Sequence, residues 1–151
     1  MASNVINRET VRDQLAELLT AALVGEGKPA QAVYGYQVGD FEDQSPVVVV
    51  TSHGSKRERL AKDTFTSTHF LLDIHIFVLY SDGGSWTEAL SEDRLDLLEK
   101  CISDVIVDNK CLTDFWAWIT LKEASVIAGI EIGSLEYRHE VMTVDVQGLD
   151  Q

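Results

Sequence analysis

The clearest periodicity in the chain lies between Asn7 and Leu23, where Val11, Leu15, Leu18, Leu19, Ala22 and Leu23 recur at steps of four, three and one. That spacing gathers the apolar side chains on one stripe of a helix and leaves Arg12, Asp13 and Glu17 on the wet side. Asn7 or Thr10 supplies the N-cap, Gly25 and Gly27 end the helix, and Pro29 blocks its continuation. From Gln31 to Val38 the pattern reads as a strand, followed by a turn at Gly39-Asp40 and an acidic loop through Asp43. Pro46 then opens Val47-Val48-Val49-Val50-Thr51, a β-branched run apolar on both faces. Such a run predicts a central strand, closed here by Gly54. The weak periodicity of Ser55 to Asp63 predicts a long, mobile hairpin loop.

The longest strand candidate runs from Thr66 to Tyr80. Its even positions, Phe70, Leu72, Ile74, Ile76, Val78 and Tyr80, form one apolar face, whereas His69, Asp73 and His75 alternate with Leu71, Phe77 and Leu79 on the odd one. One face is therefore core, and the mixed face predicts partial cover by another surface, such as a neighbouring subunit. Asp82-Gly83-Gly84-Ser85 makes a turn. A second helix extends from Trp86 or Thr87 to Val107, with Leu90, Leu97, Leu98, Cys101, Ile102 and Val105 at helical spacing. Arg94 occupies a position on that stripe, which places the middle of the helix near an edge.

Strand patterns return at Phe115–Leu121, at Ala124–Ile132 with Gly129 inside it, and at Leu135–Val146. In the last, Arg138, Glu140, Met142, Val144 and Val146 share one face, and Tyr137, His139, Val141, Thr143 and Asp145 the other. Two amphipathic helices among these strands predict a single α+β domain over residues 1–151, a mostly antiparallel sheet with both helices packed on one face.

Composition narrows the function. With 45% apolar residues among 151, the chain can bury a substantial core. Its 12 Lys+Arg against 25 Asp+Glu give a net charge of −13, which disfavours a general nucleic-acid binder and a polybasic membrane anchor. The first residues show no signal-peptide pattern, and no apolar run approaches the ~20 residues of a membrane span. Cys101 and Cys111 read as reduced thiols of a cytosolic chain.

Phosphate-binding glycine motifs, a GxSxG elbow, an HExxH pair, a CxxC pair and a calcium loop are all absent. Gly83-Gly84 reads as a tight turn rather than an anion cradle. His69 and His75 share a strand face but lie about 20 Å apart at ~3.3 Å per residue, too far for one metal. Asp73 and His75 are next neighbours on that face and offer a base and its orienting partner, with no nucleophile near them in sequence. Glu92, Asp93, Asp96 and Glu99 form a solvated helical face. No catalytic, cofactor-binding or metal-binding residue is assigned. The basic residues Lys56, Arg57, Arg59 and Lys62, interspersed with Glu58 and Asp63, fit a docking loop for a neighbouring subunit or an acidic partner better than a DNA clamp.

The layout resembles the tail terminator, or tail-completion, proteins of long-tailed bacteriophages. The similarity is carried by the opening helix Val11–Leu23, by Gly39-Asp40-Phe41 before Pro46-Val47-Val48-Val49-Val50, and by the long loop before Phe70–Val78. It continues through a helix ending Cys101-Ile102-Ser103-Asp104-Val105-Ile106, a tryptophan strand and the closing Tyr137–Val146 strand, and so covers nearly the whole chain. The resemblance implies a structural virion protein of the tail and neck, assembled in the host cytoplasm. It implies a homo-hexameric ring that caps the tail tube, ends its polymerisation and docks the head connector or stopper. It implies no catalysis and no cofactor; DNA would pass through the ring without specific binding, and no membrane is involved. Two alternatives stand beside it: another neck component, such as a head-tail connector or stopper, and a small enzyme built on Asp73 and His75.

Overall fold

The computed structural model describes residues 7–42, 44–59, 66–80, 86–122 and 124–148. The elements are α1 (Arg8–Leu23), β1 (Ala32–Tyr34), β2 (Val47–Arg59), β3 (Thr66–Leu79), α2 (Glu88–Asp108), β4 (Trp116–Leu121), β5 (Val126–Ile132) and β6 (Leu135–Gly148). Both helices begin on side-chain caps: Asn7 Oδ1 accepts from the Thr10 N–H at 2.8 Å, and Thr87 Oγ1 from the Leu90 N–H at 3.2 Å. These oxygens take up backbone donors that the first helical turn leaves without partners.

The strands form one sheet in the order β1-β2-β3-β6-β4, and β5 pairs with β6 beside β4. All pairings are antiparallel except β1 with β2, a three-residue parallel contact of Ala32–Tyr34 with Val47–Val49. The fold is thus α+β with a mostly antiparallel six-stranded sheet and two helices. β3 is the spine, bonded to β2 from Thr66 to Phe77 and to β6 from His69 to Leu79.

The main core joins Val11, Leu15, Leu19 and Leu23 of α1 and Leu95, Leu98, Ile102 and Ile106 of α2 to one set of strand positions. Those positions are Val48 and Val50 of β2, Phe70, Leu72, Ile74, Ile76 and Val78 of β3, and Met142, Val144 and Val146 of β6. The even-numbered face of β3 is therefore the core face. Ser91 anchors the start of α2 to the end of β3, its hydroxyl donating to the carbonyls of Leu79 and Tyr80. Arg94, on the apolar stripe of α2, donates to the Pro29 carbonyl at 2.9 Å and lies over the Trp86 ring.

On the opposite face a smaller cluster packs Phe41 and Tyr137 against Val47, Val49, Phe77 and Leu79. Part of the cover expected for the mixed face of β3 thus comes from its own chain, from the segment carrying Phe41.

Several boundaries differ from the sequence pattern. β1 stops at Tyr34 rather than Val38, where Gly35 lies so close to α1 that a Cβ there would stand 3.3 Å from that of Ala16. Gly54 does not close β2: the strand passes it through a register shift between Ser52 and Gly54 and continues to Arg59. The hairpin loop expected from Ser55 is accordingly strand as far as Arg59, because Ser55–Arg59 pair with Thr66–Phe70. Its remainder, including Lys62, lies outside the described residues, as does the Asp82–Ser85 turn. β2 is central only at Val47–Val49, where β1 flanks it; beyond Val49 it is a margin of the sheet.

Ile74 is fully buried at the middle of the spine. Ile74→Ala should cost about 2–5 kcal/mol of unfolding free energy, read from the urea midpoint at unchanged m-value, because it removes buried methyl groups and leaves a cavity.

Candidate functional site

The face of the sheet opposite the main core carries a row of polar side chains that the register brings together. Thr51, Asp73 and Thr143 stand in cross-strand register on β2, β3 and β6, and Val49, His75 and Val141 form the next row. Asp73 accepts from the Thr143 hydroxyl at 2.7 Å and pairs with His53 Nδ1 at 2.9 Å. His75 is held between two other partners, the Thr51 hydroxyl on Nε2 and His139 Nε2 on Nδ1, both at 2.9 Å. At the far end His69 Nδ1 meets Asp145 at 2.7 Å. Phe77 stacks on the imidazole of His139 with ring centroids 4.4 Å apart.

Asp73 and His75 therefore do not form the base-and-orienter pair that their spacing offered: each is hydrogen-bonded elsewhere. Asp73 still acts on His75 through its charge, opposing the burial that lowers the His75 pKa. His139 is pushed down to about 4, first by burial and then by His75 beside it. The second, smaller cause is legible in the geometry, since two protonated rings would aim N–H groups at each other across 2.9 Å. Among the described residues, no set of three His, Cys, Asp or Glu side chains is placed to hold a metal ion.

On the core side, Glu140 is a buried carboxyl, accepting from the Ser125 hydroxyl at 2.6 Å. Burial raises its pKa, the Ser125 bond opposes the shift, and Glu99, Asp96 and Glu92 on α2 add to it. Glu92 is itself paired with Arg138 at 2.5 Å.

The basic residues lie on the β2 margin. Lys56, Arg57 and Arg59 are strand residues in register with His69, Thr68 and Thr66, and Lys56 and Arg57 are exposed. The fold adds two cations to them: Arg8 Nη1 donates to Ser55 Oγ and Arg12 Nη1 to Ser52 Oγ, each at 3.0 Å. Arg12 had read as a residue of the wet side of α1, and only the packing of α1 beside β2 reveals this placement.

Sequence pattern also missed the character of β5. Val126 is 67% and Ile127 47% exposed, and the strand from Val126 to Glu131 is exposed throughout. A usable signal was its low charge around Gly129. Among the described residues, no helix is long and apolar enough to cross a membrane. No protein-family model matches the chain, and no curated protein matches it at a significant level.

The titrating groups predict opposite pH effects. His139 has a folded pKa below its ordinary 6.5, so its contribution to stability is complete above that pH and is lost as pH falls toward about 4. His139→Gln should reduce the fall in melting temperature over that interval relative to the parent protein, as followed by circular dichroism. Glu140 is raised instead, so its ionisation costs stability as pH rises above 4.5. Glu140→Gln should raise the melting temperature at pH 7 to 8, with the gain shrinking toward pH 4.5.

Proposed function

We propose that this protein is a structural component of a phage tail, a terminator-like ring of six copies that caps the tail tube and stops its growth. In this reading the capped end presents the docking surface for the head connector or stopper, and the protein resides in the neck region of the virion after assembly in the host cytoplasm. The observation that carries the reading is a sheet that, among the described residues, leaves strand edges open on both margins, along β2 beyond Val49 and along β5. Open edges of this kind are what ring assembly by strand addition requires.

Both helices pack on one face of the sheet in this reading, supported by the single core that α1 and α2 share with the even positions of β3. The reading assigns no catalysis, cofactor or metal. It is supported by the bonding of Asp73 to His53 and Thr143, and of His75 to Thr51 and His139, which engages those side chains within the sheet. A net charge of −13 would let DNA slide through the ring, because phosphates are repelled rather than bound.

Lys56, Arg57, Arg59 and Lys62 contact a neighbouring subunit or the tube in this account. The test adds the purified protein to polymerising tail tubes of the matching tube protein and follows them by electron microscopy. Density at one tube end and arrested lengthening are expected. Reversal of all four charges to Glu should leave the monomer folded and abolish capping. Binding to portal rings in place of tubes would favour a connector or stopper, and unaltered capping by the variant would remove the role given to these residues.

A further inference from the structure

We propose that the outer edge of β5 seats a second copy of this chain, whose β2 adds to it antiparallel so that the sheet continues from one copy to the next. The inference deepens the ring reading and rests on it. Among the described residues β5 pairs only with β6, and its segment Val126–Ile132 carries one charge, Glu131, with no Lys and no Pro. Natural sheets protect a lone edge with such residues, with a bulge or with a very short strand. β5 has seven residues and no bulge in its pairing, and Glu131 is the single charge that it carries. The outer side of β4 is different: Ile119 N–H donates to the Lys110 carbonyl at 2.9 Å, and Leu112 bridges Trp116, so the chain closes that margin itself.

The complementary edge lies across the sheet. Among the described residues, β1 covers β2 only at Val47–Val49, and from Val50 onward β2 has a strand partner on the β3 side alone. Directions agree as well. β2 is antiparallel to β3, β3 to β6 and β6 to β5, so β2 and β5 of one copy run in opposite senses. Rotation about an axis along the strands preserves each sense, and β5 then meets the neighbour's β2 antiparallel with the core faces on the same side. Such a contact is heterologous and closes into a ring.

Levels along the strands set the inclination. Val126 is in register with Val141, Val141 with His75 and His75 with Val49, so β5 starts at the level where the covered part of β2 ends and runs away from the open part. Overlap requires a shift of about five residues, roughly 17 Å at ~3.3 Å per residue, across four inter-strand spacings of about 4.8 Å. The strands then incline by about 40°, within the ~35–45° of closed sheets.

Charge favours the same pairing. Arg8, Arg12, Lys56 and Arg57 flank the open part of β2. At the five-residue shift Val126 stands level with Ser55, beside Arg8, Lys56 and Arg57 of the neighbouring copy, so an anion at that position is favoured and a cation opposed.

Light scattering of the full chain across a concentration range tests the proposal, with circular dichroism to verify folding. Val126 is 67% exposed, so substitutions there leave the monomer intact. The expected result is an assembly in the parent protein and in Val126→Glu. Val126→Lys and Arg57→Glu should each raise the midpoint concentration of assembly by about tenfold or more, and their combination should recover it. Assembly indifferent to Val126→Lys would overturn the proposal, as would a dimer lost equally with Lys and Glu at Val126 and insensitive to Arg57. A chain monomeric at every concentration would overturn it too, while capping of tubes by that monomer would leave the functional reading standing. The expected variant pattern without tube binding would sustain the edge contact and overturn the capping role.

Discussion

The structure depends on the pairing of β3 along almost its whole length on both sides. β3 is bonded to β2 over Thr66–Phe77 and to β6 over His69–Leu79, and its even side chains belong to the main core, which also takes in residues of α1 and α2. Backbone N–H and C=O groups must find partners somewhere, and a spine satisfied on both sides passes that requirement outward to the strands at the margins. On one margin β1 meets it for three residues, and on the other β4 and β5 divide β6 between them. Among the described residues, the open edges along β2 and β5 follow from where those short pairings stop.

The two faces of the spine solve different problems. Burial of Leu72, Ile74 and Ile76 supplies hydrophobic stabilisation on one side. On the other, Asp73 and His75 stand on a partly covered surface, and cross-strand partners satisfy their polar atoms. Close packing of His75, His139 and Phe77 places aromatic rings in register across β3 and β6 and depresses the basicity of both imidazoles. The segment carrying Phe41 shields the end of that face, so only part of it is left to meet another surface.

Periodicity conveyed the elements well where one side chain in two, or one in three or four, is buried. The alternation of β3 and the two faces of β6 are present in the structure, and the α1 stripe is buried at Val11, Leu15, Leu19 and Leu23, whereas Leu18 is half-buried, Ala22 is exposed and Ala16 is buried in addition. It conveyed little where pairing, rather than burial, decides the conformation. Ser55–Arg59 carries polar and charged side chains and is nonetheless strand, because its backbone bonds Thr66–Phe70. The same limit applies to the sites: Lys56 and Arg57 were visible as charges, but Arg8 and Arg12 join them only through the packing of α1. His53 meets Asp73 only through the irregular register between Ser52 and Gly54, which no spacing along one strand reveals.

Among the described residues the sheet pairs its spine on both sides and leaves strand edges without partners along β2 and β5, and the proposed assembly would occupy those edges. Hydrogen exchange followed by mass spectrometry, at concentrations below and above assembly, tests this most directly. The account predicts slow exchange in β3 at both concentrations, and exchange in β5 and in β2 beyond Val50 that is fast in the dilute protein and slowed in the assembly. Protection that develops on the exposed helical surfaces while β5 continues to exchange at its dilute rate would contradict it.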